Sequence, residues 1–282
     1  METTINSVAD TALWIAAYRA LESKRPDAIF KDELAEKLAG EKGMKMVAET
    51  PHTEAMAFAM VMRTSAIDKL ILRAISEGVD TVINLGAGLD TRPYRMKLPK
   101  ELTWIEVDFE STINYKNELL KTDLPVCKLQ RMVCNLTNQD ERRIAFEMLG
   151  RSTKKALVIT EGVIAYLSNE EAAELSRDLH AIPVFEFWIM DYRKGKQRNK
   201  AEKDIEKNLD KAPWKFNVEN PFIFFKKDGW VPFKNILILD EADAVNRKLP
   251  LKFPHTLLMR LFPKMIRSIG NQTYGFVLFK RS

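Results

Sequence analysis

Thr81-Val-Ile-Asn-Leu-Gly-Ala-Gly-Leu-Asp-Thr-Arg-Pro-Tyr-Arg95 is the stretch on which the rest of the chain turns. It opens as a short apolar run, Val82, Ile83 and Leu85, then breaks at Gly86 and Gly88 and continues to Asp90. A β-branched strand running into paired glycines is how an α/β sheet makes a nucleotide site. Glycine lacks a Cβ, so backbone can approach a ligand closely.

Working outward, strands are expected at Thr81–Leu85, Leu102–Val107, Cys127–Val133, Ala156–Thr160, Val184–Met190, Asn235–Leu239 and Thr273–Phe279. Helices alternate with them. One is expected over 7–22, and a second from Lys31 to Leu38, closed by Gly40. A long one over 54–77 carries Met60, Ile67, Leu70, Ile71, Ala74 and Ile75 at helical spacing. Asn138 reads as an N-cap, Gly150 as the stop of the helix it opens, and Ser168-Asn-Glu-Glu171 as a capping box. A short helix is expected from Glu241 to Arg247. Alternation over about 200 residues argues for a mostly parallel sheet with helices on both faces. In such a sheet ligands bind beyond the C-terminal strand ends, which here carry Gly86, Gly88, Asp90, Asp108, Asn135, Glu161 and Asp191.

Composition bounds the class. The chain has 282 residues, is 46% hydrophobic and 29% charged, and carries a net charge of +5. That is ordinary for a globular enzyme with a large core, and too mild an excess to favour a nucleic-acid binder. Two cysteines, Cys127 and Cys134, make neither a disulfide framework nor a zinc spacing, and read as buried reduced thiols. No apolar run reaches the ~18 residues of a membrane span, and no signal peptide is visible, so the expectation is a cytoplasmic protein.

Asp108 lies 22 residues after Gly86, where an acid at the end of the second strand accepts hydrogen bonds from both ribose hydroxyls. That spacing suits dinucleotide enzymes and adenosyl-methionine enzymes alike. The dinucleotide pattern wants a third glycine where Thr91 stands. Arg63 and Glu161 discriminate further. An amino-acid end on a cofactor needs a cation for its carboxylate and an acid for its amine, whereas Glu161 would repel a pyrophosphate. Against this, Arg63 also reads as a snorkelling or surface arginine.

These residues carry a resemblance. Asn84-Leu-Gly-Ala-Gly-Leu-Asp-Thr-Arg-Pro-Tyr-Arg95 resembles the glycine motif of the leucine carboxyl methyltransferase superfamily, and more closely its bacterial S-adenosyl-L-methionine-dependent O-methyltransferase branch. Asp10–Leu21, Leu34–Gly40, Arg63-Thr with Ile67-Asp68, Ile105–Asp108 and Glu161–Leu167 resemble further elements of that branch, in order. The resemblance covers residues 7–191 well and is vaguer beyond. It implies a Rossmann-like class I methyltransferase sheet, mostly parallel with an antiparallel last strand. The chain is expected to form one domain, with an N-terminal helical cap (1–78), a cofactor-binding core (79–191), a helical lid insertion (192–230) that begins at the charged, weakly periodic run Arg193–Lys211, and a C-terminal part of the sheet (231–282). The resemblance also implies a site. Arg63 would hold the methionyl carboxylate, Glu161 the amine and Asp108 the ribose. Gly86, Ala87, Gly88 and Asp90 would line the cofactor, and Asn135 and Leu136 would frame the adenine. The family often has Asp where Asn135 stands; an amide can donate and accept, so adenine contact survives.

The expected function is methyl transfer from S-adenosyl-L-methionine to a hydroxyl or carboxylate of a small, polyketide-like or other secondary metabolite, with no metal. Alternatives are a protein C-terminal carboxyl methyltransferase, a nucleic-acid-binding or RNA-modifying protein using the basic run Arg193–Lys203, and a nicotinamide oxidoreductase. No catalytic base is assigned. His52, His180, His255 and Tyr166 are weighed for that role, and His180 reads as structural. Trp214, Phe216, Phe222, Phe224 and Phe225 read as core, with an apolar acceptor pocket as the alternative.

Overall fold

The computed structural model describes residues 8–50, 53–195, 213–250 and 274–282. Three helices come first: α1 (Val8–Ser23), α2 (Ala35–Glu49) and α3 (Thr53–Ser76). The core follows as β1 (Thr81–Leu85), α4 (Arg92–Arg95), β2 (Thr103–Asp108), α5 (Glu110–Leu119), β3 (Lys128–Val133), α6 (Gln139–Arg151) and β4 (Ala156–Thr160). A 3-10 turn (Ile164–Tyr166) leads to α7 (Asn169–His180) and β5 (Phe185–Arg193). The chain ends with α8 (Pro221–Lys226), β6 (Trp230–Leu237), α9 (Ile238–Ala244) and β7 (Tyr274–Arg281).

The sheet order is β3-β2-β1-β4-β5-β7-β6. The first five strands are parallel, and β7 runs antiparallel to both neighbours. The expected class of sheet, with its antiparallel last strand, is the observed one. Each face has its own core, as period-two alternation requires. On one face Ile83, Leu85, Ile105, Val107, Trp188 and Met190 meet Phe146 and Leu149 of α6 and Leu175 of α7. On the other, Val82, Trp104, Leu157, Ile159, Phe276 and Leu278 meet Ile67, Leu70 and Ile71 of α3. A third cluster, built on Trp14, Tyr18, Leu38 and Met60 with Leu89, seats the N-terminal helices over the glycine turn.

The boundaries differ from expectation in instructive places. Gly40 does not close α2. It kinks it (φ 59°, ψ −173°), and the helix resumes to Glu49. Gly150 likewise lies inside α6, which runs to Arg151. The N-cap at Asn138 and the capping box at Ser168 both form as expected. β6 begins five residues earlier than expected and accommodates Pro232, because it is an edge strand with a register shift at that residue. β5 runs on to Arg193. Phe225 is fully buried, and Phe216, Phe222 and Phe224 pack against the same core, so that aromatic group is mainly core. Trp214 joins the N-terminal cluster instead. Most of the basic run Arg193–Lys203 lies outside the described residues, as do His52 and His255. Among the described residues no helix is long and apolar enough to cross a membrane.

Both cysteines are buried, and burial pushes each thiol up to about 11. Since the thiolate is the reactive species, the folded protein should leave both unlabelled by a thiol-disulfide reagent at pH 8. Two equivalents should appear only after guanidinium is added, as read by absorbance.

Candidate functional site

The strand order reverses between β1 and β4, so a crevice opens beyond their C-terminal ends. Four segments converge there: the glycine turn after β1, Asp108 ending β2, Glu161-Gly162 after β4, and Asp191 in β5. Helix α3 brings Arg63 to them.

The glycine turn is tightly constrained. Gly86 has φ +64°, and a Cβ there would stand 2.6 Å from Val163 Cγ2, so no larger residue fits. Gly86 N–H and Ala87 N–H donate to Val107 C=O (2.8 and 3.2 Å), and Gly88 N–H donates to Asp108 Oδ2 (2.7 Å). All three backbone donors are therefore engaged within the protein. A pyrophosphate is normally held by such free N–H groups at a helix start. This turn offers none of the three, and the helix after it spans only Arg92–Arg95. The nicotinamide dinucleotide reading loses its anion cradle.

Asp108 accepts Gly88 N–H on one oxygen and Phe109 N–H on the other (2.7 Å each). Those bonds fix the carboxylate, and each oxygen keeps a further lone pair for a diol. Phe109 and Val133, at neighbouring strand ends, are 45% and 51% exposed, an apolar edge beside that acid. Asn135 directs its side-chain carbonyl to Thr137 N–H and Oγ1 (3.1 and 2.7 Å), leaving its amide N–H groups for other partners. The Leu136 carbonyl accepts from Arg142.

Arg63 is buried, which removes the surface-arginine alternative. Its Nε lies 2.8 Å from Glu161 Oε1 and its Nη1 3.9 Å from Asp191 Oδ2. The Nε–H does not point at the carboxylate, so Nε is buried with no hydrogen-bond partner. Gly162 lets the guanidinium lie close, since a Cβ there would meet Nη1 at 3.4 Å. The neighbouring arginines behave differently. Arg92 donates to Asp68 (2.6 Å), Asp90 (3.0 Å) and Glu161 (2.7 Å). Arg95 makes a paired contact to Asp68 (2.7 and 2.9 Å). Arg19 donates to Asp32 and to the Leu89 carbonyl. Those three brace the walls, whereas Arg63 keeps its donors available.

The acids divide likewise. Asp90 is taken up by Asn84 Nδ2, Arg92 N–H and Arg92 Nη1. Burial works to raise its pKa, and Arg92 foremost drives it well below the carboxylate range. It therefore reaches a ligand only through the residues it holds. Burial also works to raise the pKa of Glu161, but Arg92 and then Arg63 outweigh it, so Glu161 stays ionised. Only one of its oxygens is bound by Arg92, and the other faces Arg63.

Three participants went unassigned in the sequence. Arg92 sits in the quoted motif, and its signal was the spacing Asp90-x-Arg92. Phe109 directly follows the ribose acid. Tyr274, at the start of β7, donates to Asp191 Oδ2 (3.2 Å). Tyr166 hydrogen-bonds Trp214 and Thr11, and burial raises its pKa. The backbone N–H groups of Lys215 and Phe216 donate to the Ala165 carbonyl (2.8 and 3.2 Å), tying that stretch to the turn after β4. His180 ends α7, packed edge-on against Trp230 and away from this site. It lines a separate open cleft of about 440 Å³ with Arg177, Lys227 and Asp228.

The chain is 33% identical over 174 residues to a Streptomyces coelicolor protein provisionally named as an S-adenosyl-L-methionine-dependent methyltransferase. That match covers 58% of this chain and 61% of the relative. A similarly named Rhodococcus jostii protein is 31% identical over 77% of this chain and 74% of its own length. The chain thus spans less than two thirds of the Streptomyces relative. In fold it is similar to a DUF574 family protein from Streptomyces avermitilis, with a TM-score of 0.60, 13% identity, and 95% and 97% of the two chains covered. A Thermobifida fusca structure, provisionally described as a methyltransferase, gives a TM-score of 0.59 at 14% identity, covering 95% and 94%. The family model for leucine carboxyl methyltransferase matches residues 12–180, from α1 to the end of α7. That is more than half of the chain, and the chain belongs to the leucine carboxyl methyltransferase family.

Proposed function

We propose that this protein is an S-adenosyl-L-methionine-dependent O-methyltransferase acting on a small-molecule acceptor. The observation that carries the reading is Arg63, a buried guanidinium that makes no hydrogen bond among the described residues. A buried donor without a partner costs free energy, and a ligand carboxylate would satisfy it. Glu161 keeps one oxygen for an ammonium group, and Asp108 keeps lone pairs for a ribose diol. Cation, acid and diol acceptor together fit the two ends of this cofactor. The names of the relatives point the same way.

When bound, the cofactor supplies an activated methyl group on a sulfonium. The chain's own work is then orientation, which is a large effect in transfers of this kind. Arg63 and Glu161 hold the amino-acid end, Asp108 the ribose, and Phe109, Asn135 and Leu136 the base. Gly86, Ala87 and Gly88 let the sugar lie against backbone. Asp90 acts through Arg92. Tyr166 and Tyr274 both have pKa values raised chiefly by burial, so they stay protonated at neutral pH. Neither phenol can therefore take a proton from an acceptor, which favours an oxygen that is already ionised. A protein chain terminus is the related alternative acceptor.

The test is calorimetric titration with S-adenosyl-homocysteine and with NAD. Micromolar-range binding of the first (about −8 kcal/mol) and none of the second is expected. NAD binding without homocysteine-analogue binding would overturn the reading. A metabolite extract incubated with methyl-labelled cofactor then identifies the acceptor.

A further inference from the structure

Arg63 presents a puzzle that its own contacts do not resolve. Carboxylates and guanidinium groups this close normally lock into paired hydrogen bonds, as Arg95 does with Asp68. Asp191 Oδ2 instead stops 3.9 Å from Arg63 Nη1, beyond hydrogen-bond reach. The reason lies on the other side of Asp191. Its Oδ1 accepts Gly162 N–H at 2.7 Å, and its Oδ2 accepts the Tyr274 hydroxyl at 3.2 Å.

Tyr274 reaches that point because β7 is antiparallel to β5. Arg193 pairs with Tyr274 and Asp191 with Phe276, so Tyr274 and Asp191 are diagonal neighbours across the ladder. The residue lies well beyond the stretch that matches the family model. Its ring stacks edge-on against Phe276 at 5.4 Å, a contact a phenylalanine would keep. Burial, and then the charge of Asp191, push its hydroxyl well above the usual phenol value, so it is a permanent donor.

We infer that Tyr274 is a positioning residue: by occupying Asp191 Oδ2, it holds that carboxylate off Arg63 and keeps the arginine's N–H groups available for the carboxylate of a ligand. The inference rests on the cofactor reading above. Without the hydroxyl, a largely buried carboxylate oxygen loses its donor, and the nearest replacement is Arg63 Nη1. Asp191 would turn to it, and a ligand carboxylate would then have to displace an internal ion pair.

Tyr274→Phe should weaken S-adenosyl-homocysteine binding about tenfold, or about 1.4 kcal/mol, by calorimetry. Binding of 5′-methylthioadenosine, which lacks the carboxylate and amine, should not change. The rescue is specific. Asp191→Asn removes the charge that would capture Arg63, so the double variant should bind the homocysteine ligand within about threefold of Asp191→Asn alone. A merely structural tyrosine would weaken both ligands equally and show no rescue, and either result overturns the inference. So does unchanged homocysteine-ligand affinity in Tyr274→Phe. Wild-type protein that binds neither ligand would instead overturn the cofactor reading, and the inference with it.

Discussion

Arg63→Met should cost about 3 kcal/mol of S-adenosyl-homocysteine binding, roughly a hundredfold in affinity, while the melting temperature of the ligand-free protein falls much less than it does in Arg92→Met. The two halves of that expectation come from one fact. Arg63 is buried but donates no hydrogen bond among the described residues, so its removal strands no partner that depended on its N–H groups. Glu161 retains Arg92, and Asp191 retains Gly162 and Tyr274. Arg92→Met should behave in the opposite way. Arg92 joins Asp68, Asp90 and Glu161, and its loss leaves three carboxylates without a common cation. Breaking such a buried pair typically costs about 3–5 kcal/mol, so Arg92→Met should melt many degrees lower. Thermal unfolding and calorimetry on both variants separate the roles. If Arg63→Met unfolds the protein while Arg92→Met only weakens the ligand, the assignments must be exchanged.

That contrast shows what the sequence could reveal. Both arginines are visible in it, and both lie in stretches that resemble the family. Residue type and spacing indicate that a cation is present. They do not indicate whether its donors are satisfied, because satisfaction depends on residues far away in the chain. Asp68 meets Arg92 across 24 positions, and Asp191 meets Tyr274 across 83.

Elements written locally were legible. β1 and β4 are short apolar runs with turn chemistry at their ends, and both match the expected bounds. The capping box at Ser168 and the N-cap at Asn138 need only three or four residues to form, and both do. Elements defined by their neighbours were not legible to the residue. β6 contains Pro232, which reads as a strand breaker until the strand is seen to lie at the sheet edge. Gly40 reads as a stop, and the chain continues past it because both flanking half-helices pack on α1 and its cluster.

The site also needs a stiff floor, and its stiffness is tested most severely at Lys116. Lys116 Nζ and Glu106 Oε1 are 2.7 Å apart, and both side chains are completely buried. Glu106 lies two residues before Asp108 on β2, so both project from the same face. Its second oxygen takes Arg131 Nε at 2.8 Å, and Arg131 continues to Tyr94 and Asn117. One acid thus ties β2 to α4, α5 and β3 directly beneath the ribose acid. Lys116→Met keeps the side chain's length but leaves a fully buried carboxylate oxygen uncompensated, which costs about 3–5 kcal/mol. For a chain of this size that is a fall of about 10 °C in melting temperature. Adding Glu106→Gln removes the stranded charge, and most of the loss should return because Arg131, partly exposed, can turn to solvent. The rescue distinguishes an electrostatic lock from simple loss of packing, which a second substitution would deepen. Melting of Lys116→Met within about 2 °C of wild type would show that the pair is no anchor. A double variant less stable than the single would show that the lysine's methylene stem, rather than its charge, holds α5 against the sheet.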